Sequence, residues 1–119
     1  MSSSQPLEKG EIQKMIVTSF PPWWKSWVAE EAVRRSGDKR GRQRTTARDL
    51  YIEAMRALLA RMANGEQIRF SASPKADGTL QFWVDKAFLA EVEEAIAGKV
   101  SKTGFVLTAI LEHFPELEA

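Results

Sequence analysis

Hydrophobic and polar positions follow the same plan twice along this 119-residue chain. Each copy begins with a short strand of alternating apolar and polar residues, continues through an amphipathic helix and a polar break, and ends with a second amphipathic helix. The first copy covers residues 13–65 and the second covers residues 79–119, with a connector at 66–78 and a flexible tail at 1–12. One strand forms no sheet, and two helices cannot cover it alone. The pattern therefore predicts an α+β, mostly helical domain in which a two-stranded antiparallel ribbon is backed by four helices.

Start and stop signals set the boundaries of these elements. Thr46 and Asp49 have the spacing of a capping box at the start of one helix. Asp85 and Ser101 stand at the N-cap positions of two others. The pattern predicts strands at residues 13–20 and 79–85 and helices at residues 22–35, 47–63, 87–97 and 102–114.

The alternation along each strand predicts which side chains face outward. In the second strand, the apolar set begins at Leu80, which leaves Thr79, Gln81 and Trp83 on the outer face. The first strand allows two phases, because a slip of one residue inverts its faces. One phase buries Met15 and Val17, and the opposite phase buries Ile16, Thr18 and Phe20. The first phase is favoured, and it places three residues outward: Lys14, Ile16 and Thr18.

A two-stranded ribbon of this size fits the major groove of duplex DNA. Glutamine can bond the N6 and N7 atoms of adenine, and threonine can contact the methyl group of thymine. The outward residues of both strands are therefore the candidate base contacts: Lys14, Ile16, Thr18, Thr79, Gln81 and Trp83.

Charge is distributed unevenly although the net charge is only +1. Residues 1–64 carry 12 Lys and Arg against 7 Asp and Glu, whereas residues 65–119 carry 5 against 9. A basic run from Arg34 to Arg48 leads into a helix start, where free amides and the helix dipole favour phosphate. A solvated loop is the alternative, but the arginine density favours phosphate binding. The candidate phosphate contacts are Lys39, Arg40, Arg42, Arg44, Thr45, Thr46 and Arg48, with Ser101, Lys102 and Thr103 as a weaker set in the second copy.

Composition narrows the class of protein further. The chain has no cysteine and one histidine, His113, so neither a disulfide nor a zinc site is expected. It has no apolar run of membrane-spanning length and no apolar leader segment, and we expect a cytoplasmic protein without membrane contact. A nucleophile–histidine pair, a phosphate-binding glycine loop and a metal cluster are all missing from the sequence. We therefore expect no cofactor and no enzymatic activity.

Three tryptophans on the first helix allow two interpretations. Trp23, Trp24 and Trp27 are spaced so that they form either a stacking platform for single-stranded nucleic acid or part of the core. The core interpretation is favoured for a domain of this size. The same helix would serve as the contact patch if the protein were an adaptor.

The second copy carries a recognisable motif. Its strand TLQFWVD is followed by a capped helix, then by Gly98, Val100 and the turn Ser101-Lys102-Thr103 before the last helix. This order resembles the ribbon-helix-helix DNA-binding family, with Lys99 as one extra residue inside the turn. With two copies in one chain, the protein resembles the tandem members, which include the TraY-type and VirC-operon accessory proteins of DNA transfer. The connector RMANGEQIR is similar to the linker of the VirC-type proteins.

The resemblance implies binding to double-stranded DNA through the ribbon, in a plasmid or conjugative-transfer accessory protein or a transcriptional regulator. A relaxase or another transfer protein is a further candidate partner. The expected unit is a monomeric tandem module, with self-association on DNA left open. The alternatives are a small helical adaptor that binds another protein through its tryptophan-rich helix, and an antitoxin-type repressor.

Overall fold

The structure, a computed structural model, describes residues 11–39, 41–70 and 76–118. These residues form an α+β, mostly helical arrangement with one two-stranded sheet and four α-helices. The elements are β1 (Ile12–Val17), α1 (Pro22–Ser36), a 3-10 helix (Gly41–Gln43), α2 (Ala47–Ala63), β2 (Leu80–Asp85), α3 (Lys86–Ile96), α4 (Lys102–His113) and a second 3-10 helix (Pro115–Glu118). Residues 1–10 of the predicted tail and 71–75 of the predicted connector lie outside the described residues. The coarse architecture follows the prediction, and each strand precedes two helices.

The two strands pair with each other in antiparallel orientation. Ile12 lies opposite Asp85 at one end of the ribbon, and Val17 lies opposite Leu80 at the other. The first strand therefore begins one residue earlier than predicted, inside the segment assigned to the tail. It also ends three residues earlier than predicted. The predicted pairing of distant segments is confirmed.

A tight backbone contact explains why the ribbon ends early. Ser19 adopts a positive φ of 56°, which is uncommon for a residue with a side chain and turns the chain away from the strand direction. The amide of Phe20 then donates a hydrogen bond to the carbonyl of Gly78 at 2.9 Å. A Cβ atom at Gly78 would lie 2.1 Å from the carbonyl oxygen of Phe20, so this approach requires glycine. Thr18 and Thr79, predicted as strand residues, are exposed but lie beyond the last pair.

The helices cover one face of the ribbon. Met15 and Val17 are buried on that face together with Phe82 and Val84, which confirms the favoured phase of the first strand. Helix α3 packs against both strands, α4 packs against β1, and α2 packs against α4. The two copies therefore share one core, as expected if neither can bury its apolar surface alone.

Aromatic side chains link the first helices to the ribbon. The Phe20 ring forms T-shaped contacts with Trp24 and Tyr51 at centroid distances of 5.5 and 6.1 Å. Tyr51 stacks on Phe82 of β2 at 5.4 Å. Burial raises the pKa of Tyr51 to about 12, because the phenolate would lose its hydration. These contacts fix α1 and α2 relative to the sheet.

The helix starts follow the predicted signals with one difference. The capping box of Thr46 and Asp49 is formed at α2, and Ser101 caps α4 by accepting a hydrogen bond from the Gly104 amide at 3.0 Å. Asp85 occupies the N-cap of α3, but its side chain makes no capping bond. Since β2 runs directly into α3, the Lys86 amide instead donates to the Glu11 carbonyl at 2.8 Å.

Candidate nucleic-acid interface

The face of the ribbon that points away from the helices carries three cross-strand pairs. They are Ile12 with Asp85, Lys14 with Trp83, and Ile16 with Gln81, and all six side chains are exposed. Four of them are predicted base contacts: Lys14, Ile16, Gln81 and Trp83. We call these three pairs the outer face. Because side chains alternate along both strands, the outer face is open to a partner while the apolar side chains of the opposite face pack against the helices.

The outer face is more apolar than an ordinary solvated sheet surface. Ile12, Ile16 and Trp83 are 47%, 52% and 49% exposed. The Nζ atom of Lys14 lies 5.4 Å from the centre of the Trp83 ring, within cation–π range. This contact holds the indole and the ammonium group together at the middle of the ribbon. The outer face can thus offer apolar contact, one cation and one amide to a ligand, with the Asp85 carboxylate at the end of the ribbon opposite Ile12.

Arg48 connects the start of α2 to the edge of the ribbon. Its Nε atom donates a hydrogen bond to the main-chain carbonyl of Trp83 at 2.6 Å. Arg48 was predicted to contact phosphate, and the structure gives it this additional role in positioning β2. A guanidinium group has five N–H donors, so its outer nitrogens can still bind an anion. The phosphate role itself remains a proposal.

The capping box changes what the α2 start can bind. The Thr46 amide donates to a carboxylate oxygen of Asp49 at 2.9 Å, and the Asp49 amide donates to the Thr46 hydroxyl at 3.2 Å. The Thr46 amide is therefore already used, although this residue was predicted to contact phosphate. The first two helix amides, those of Ala47 and Arg48, have no intrahelical acceptor and are the donors available to an anion.

The basic run divides into two parts with different contacts. Arg34 pairs with Glu31 at 2.7 Å, and Arg35 pairs with Glu31 at 3.0 Å and with Glu53 at 2.9 Å. Within the described residues, Lys39 and Arg44 are exposed and form no ion pair. The arginines on α1 therefore form ion pairs on the helices, and Lys39 and Arg44 in the loop are available to a ligand.

The loop that carries the free cations is anchored at the end of α1. The buried Ser36 hydroxyl accepts a hydrogen bond from the Thr45 amide at 2.8 Å and lies within bonding distance of the carbonyls of Ala32 and Thr45. A 3-10 turn at Gly41–Gln43 shortens the loop. Two predicted contacts cannot be placed, since Arg40 lies outside the described residues and the side chain of Arg42 is not described. Lys39 and Arg44 are thus held beside the start of α2.

The α4 start is a weaker anion site than the α2 start. Ser101 uses its hydroxyl as a cap, Thr103 is half-buried, and the Lys102 ammonium lies 3.2 Å from Glu93. Three exposed carboxylates on α3 precede this region in the sequence: Glu91, Glu93 and Glu94. The three predicted phosphate contacts of the second copy are therefore present but partly engaged.

A second ionic cluster joins three helices. Glu31 and Arg35 on α1, Glu53 on α2 and His113 on α4 form a continuous chain of contacts, with the His113 Nε2 atom 2.6 Å from Glu53. Hydrogen bonds from Arg35 and Arg34 lower the pKa of Glu31. The hydrogen bond from His113 is the main cause that lowers the pKa of Glu53. This cluster therefore contributes to the packing of the helices.

The three tryptophans do not form a common platform. Trp24 is buried, and Trp27 is half-buried against Phe114 at a ring distance of 5.5 Å. Trp23 is 47% exposed. The core interpretation is confirmed for Trp24, and of the three tryptophans it is Trp23 that is exposed to an external partner.

Some of the interface was not predicted from the sequence. Ile12 lies on the outer face because the alternation of Lys14 and Ile16 continues backward by one step, a signal visible in the sequence. The pairing of Glu31 with Arg34 and Arg35 has helical spacings of three and four residues, which are also readable. The bond from Arg48 to Trp83 joins residues 35 positions apart, and no local pattern predicts it.

No model of a known protein family matches this chain, and neither a curated protein nor a solved structure is found to be similar to it. Of the helices in the described ranges, none combines the length and the apolar character that crossing a membrane requires.

Proposed function

We propose that the chain is a single-chain, tandem ribbon-helix-helix module that binds double-stranded DNA by placing the outer face in the major groove. The observation that carries this proposal is the antiparallel ribbon whose inner face is buried and whose outer face is open. A two-stranded β-ribbon is one of the elements that the major groove admits. Helices on the inner face support the ribbon from behind.

The outer face carries side chains that can read base edges. Gln81 can form the paired hydrogen bonds that adenine offers, and Lys14 can donate to the O6 and N7 atoms of guanine. Ile16, which lies opposite Gln81, can contact a thymine methyl group. Trp83 supplies apolar area beside Lys14. Together these side chains would recognise a duplex site that contains both A·T and G·C base pairs.

Phosphate binding is assigned to the cations around the α2 start. Lys39 and Arg44 are free, and Arg48 keeps donors beyond the one that it gives to Trp83. Such contacts position the ribbon, and base contacts then give specificity. Since β1 and β2 carry different residues, the preferred duplex should be asymmetric instead of palindromic. A role as a transfer accessory protein or a transcriptional regulator rests on the family resemblance.

A binding selection tests this function directly. Duplexes recovered from a random pool by the full chain should give a retarded band in a gel-shift assay, and the matching single strands should compete poorly. Ile16→Glu places a carboxylate on the outer face, where it would meet the phosphate field, and should weaken duplex binding by about tenfold or more. Ala60→Glu is the matched control, because Ala60 is exposed near the C-terminal end of α2, far along the helix from its basic start. Recovery of no duplex, or equal loss in both variants, would contradict the proposal.

A protein-binding adaptor is the second candidate, favoured by the exposure of Trp23. In that case Trp23→Ala would abolish the function, and Ile16→Glu would leave it intact. Under the DNA-binding proposal, Trp23→Ala should change duplex affinity by less than about twofold, because Trp23 lies on α1 and is not one of the outer-face residues.

A further inference from the structure

The two long helices that follow the strands begin in similar ways but in different electrostatic surroundings. Thr46 caps α2 and Ser101 caps α4, each by accepting a bond from the third helical amide. Aligning the two caps makes windows 36–49 and 91–104 equivalent. The first window carries five Lys and Arg against two Asp, and the second carries two Lys against three Glu. We call them the basic flank and the acidic flank.

The contacts of individual side chains increase this difference. On the basic flank, Lys39 and Arg44 form no ion pair within the described part of the chain. On the acidic flank, Lys102 is paired with Glu93, and the Lys99 ammonium lies 3.4 Å from the Ala95 carbonyl. Among the described residues, the acidic flank therefore offers a phosphate one cation without an ion pair, Lys99, in a window that also carries three glutamates.

The two flanks also differ in their connection to the ribbon. Arg48 of the basic flank is bonded to the Trp83 carbonyl, and the equivalent position of the acidic flank is Thr103, which is half-buried. Arg44 precedes Arg48 by four residues, so its Cα atom lies within about 14 Å of that of Arg48. Phosphates of one duplex strand follow each other every roughly 3.4 Å along the helix axis. Arg44 and Arg48 are therefore close enough to contact nearby phosphates of one backbone beside β2.

We infer that the protein grips its duplex from one side. The phosphates next to the basic flank carry most of the non-specific affinity, and the duplex end next to the acidic flank is held mainly through base contacts of the ribbon. This inference rests on the proposed function. It gives the bound protein a defined direction on the DNA.

Ethylation interference on a duplex selected from a random pool tests the one-sided grip. Phosphates whose ethylation blocks binding should cluster at one end of the site. An equal number of blocked phosphates at both ends would overturn the inference and leave DNA binding itself intact. Failure to select any duplex would instead contradict the proposed function and, with it, this inference.

The direction of binding can be read with single cysteines, because the chain has none of its own. Gln43→Cys on the basic flank and Ala97→Cys on the acidic flank are exposed positions for an iron chelate that cleaves nearby DNA. Cleavage from position 43 should coincide with the end where ethylation blocks binding, and cleavage from position 97 should fall at the other end. The reverse pattern would overturn the inference.

Charge removal provides an independent measurement. At about 50 mM salt, Arg44→Ala should weaken binding to the selected duplex by roughly three- to tenfold, and Lys102→Ala by less than about twofold. Arg34→Ala is the matched control from the same basic run, since Arg34 is paired with Glu31. Equal losses for Arg44→Ala and Lys102→Ala would contradict the one-sided grip.

Discussion

Arginine side chains in one short run have two different tasks in this protein. Arg34 and Arg35 form ion pairs on the helices, whereas Arg44 remains free beside the start of α2. The number and density of arginines in the sequence indicate a polyanionic partner. They do not distinguish arginines that form ion pairs within the protein from arginines that are free to bind a ligand. Only the positions of Glu31 and Glu53 separate the cations that stabilise the fold from those that can bind a ligand.

The pairing of Glu31 predicts how stability changes in acid. The folded-state pKa of Glu31 is lowered by hydrogen bonds from Arg35 and Arg34, which keep their charge at all accessible pH values. A lowered carboxylate pKa stabilises the folded state above the unfolded-state pKa, and that contribution disappears as pH falls through the folded-state value. Glu31→Gln should therefore reduce stability at pH 7. The difference from the unchanged protein should begin to shrink near the unfolded-state pKa of about 4.3 and vanish only at pH values below the lowered folded-state pKa of Glu31.

Urea unfolding at several pH values measures this difference. Each exposed ion pair contributes at most about 1 kcal/mol, so the loss at pH 7 should be of that order. Glu30→Gln is the control, because the exposed Glu30 forms no ion pair within the described residues. A difference for Glu31→Gln that is independent of pH would contradict the assigned cause.

At the level of elements, one glycine fixes the end of the ribbon. Gly78→Ala would place a Cβ atom 2.1 Å from the Phe20 carbonyl oxygen, which neither backbone can avoid without moving. We expect a loss of about 1–3 kcal/mol in the free energy of unfolding. Asp77→Ala, at the exposed neighbouring position, should change it by less than about 0.5 kcal/mol. Equal effects of the two variants in urea titrations would show that the close approach does not exist.

The elements were largely readable from the sequence because their signals are local. The α2 boundaries and its capping box depend on neighbouring residues, and both were predicted correctly. The end of β1 was predicted three residues too late, since the alternation continues to Phe20 while the Phe20 amide bonds to Gly78. That bond joins segments distant in sequence, and a strand pattern contains no information about it. The candidate interface also divides into local and long-range features. The alternating outer face is a local pattern and was predicted, whereas the contact of Arg48 with Trp83 joins distant segments and was missed.

For the whole molecule, unequal charge determines how binding should depend on salt. If about four to six phosphates are contacted, the logarithm of the association constant should fall with the logarithm of salt concentration at a slope of roughly −4 to −5. Titrations of the selected duplex between low and physiological salt measure this slope. A slope near zero would mean that the cations around the α2 start do not contact the backbone.

The central claim is that the outer face enters the major groove, and one substitution series in the DNA tests it most directly. Replacing each purine of the selected duplex in turn by its 7-deaza analogue removes the N7 acceptor, which lies in the major groove, and leaves the minor-groove edge unchanged. We expect binding to fall by about fivefold or more at a few adjacent positions, where Lys14 or Gln81 would lose an acceptor. If every 7-deaza duplex binds as tightly as the parent, the ribbon does not read the major groove.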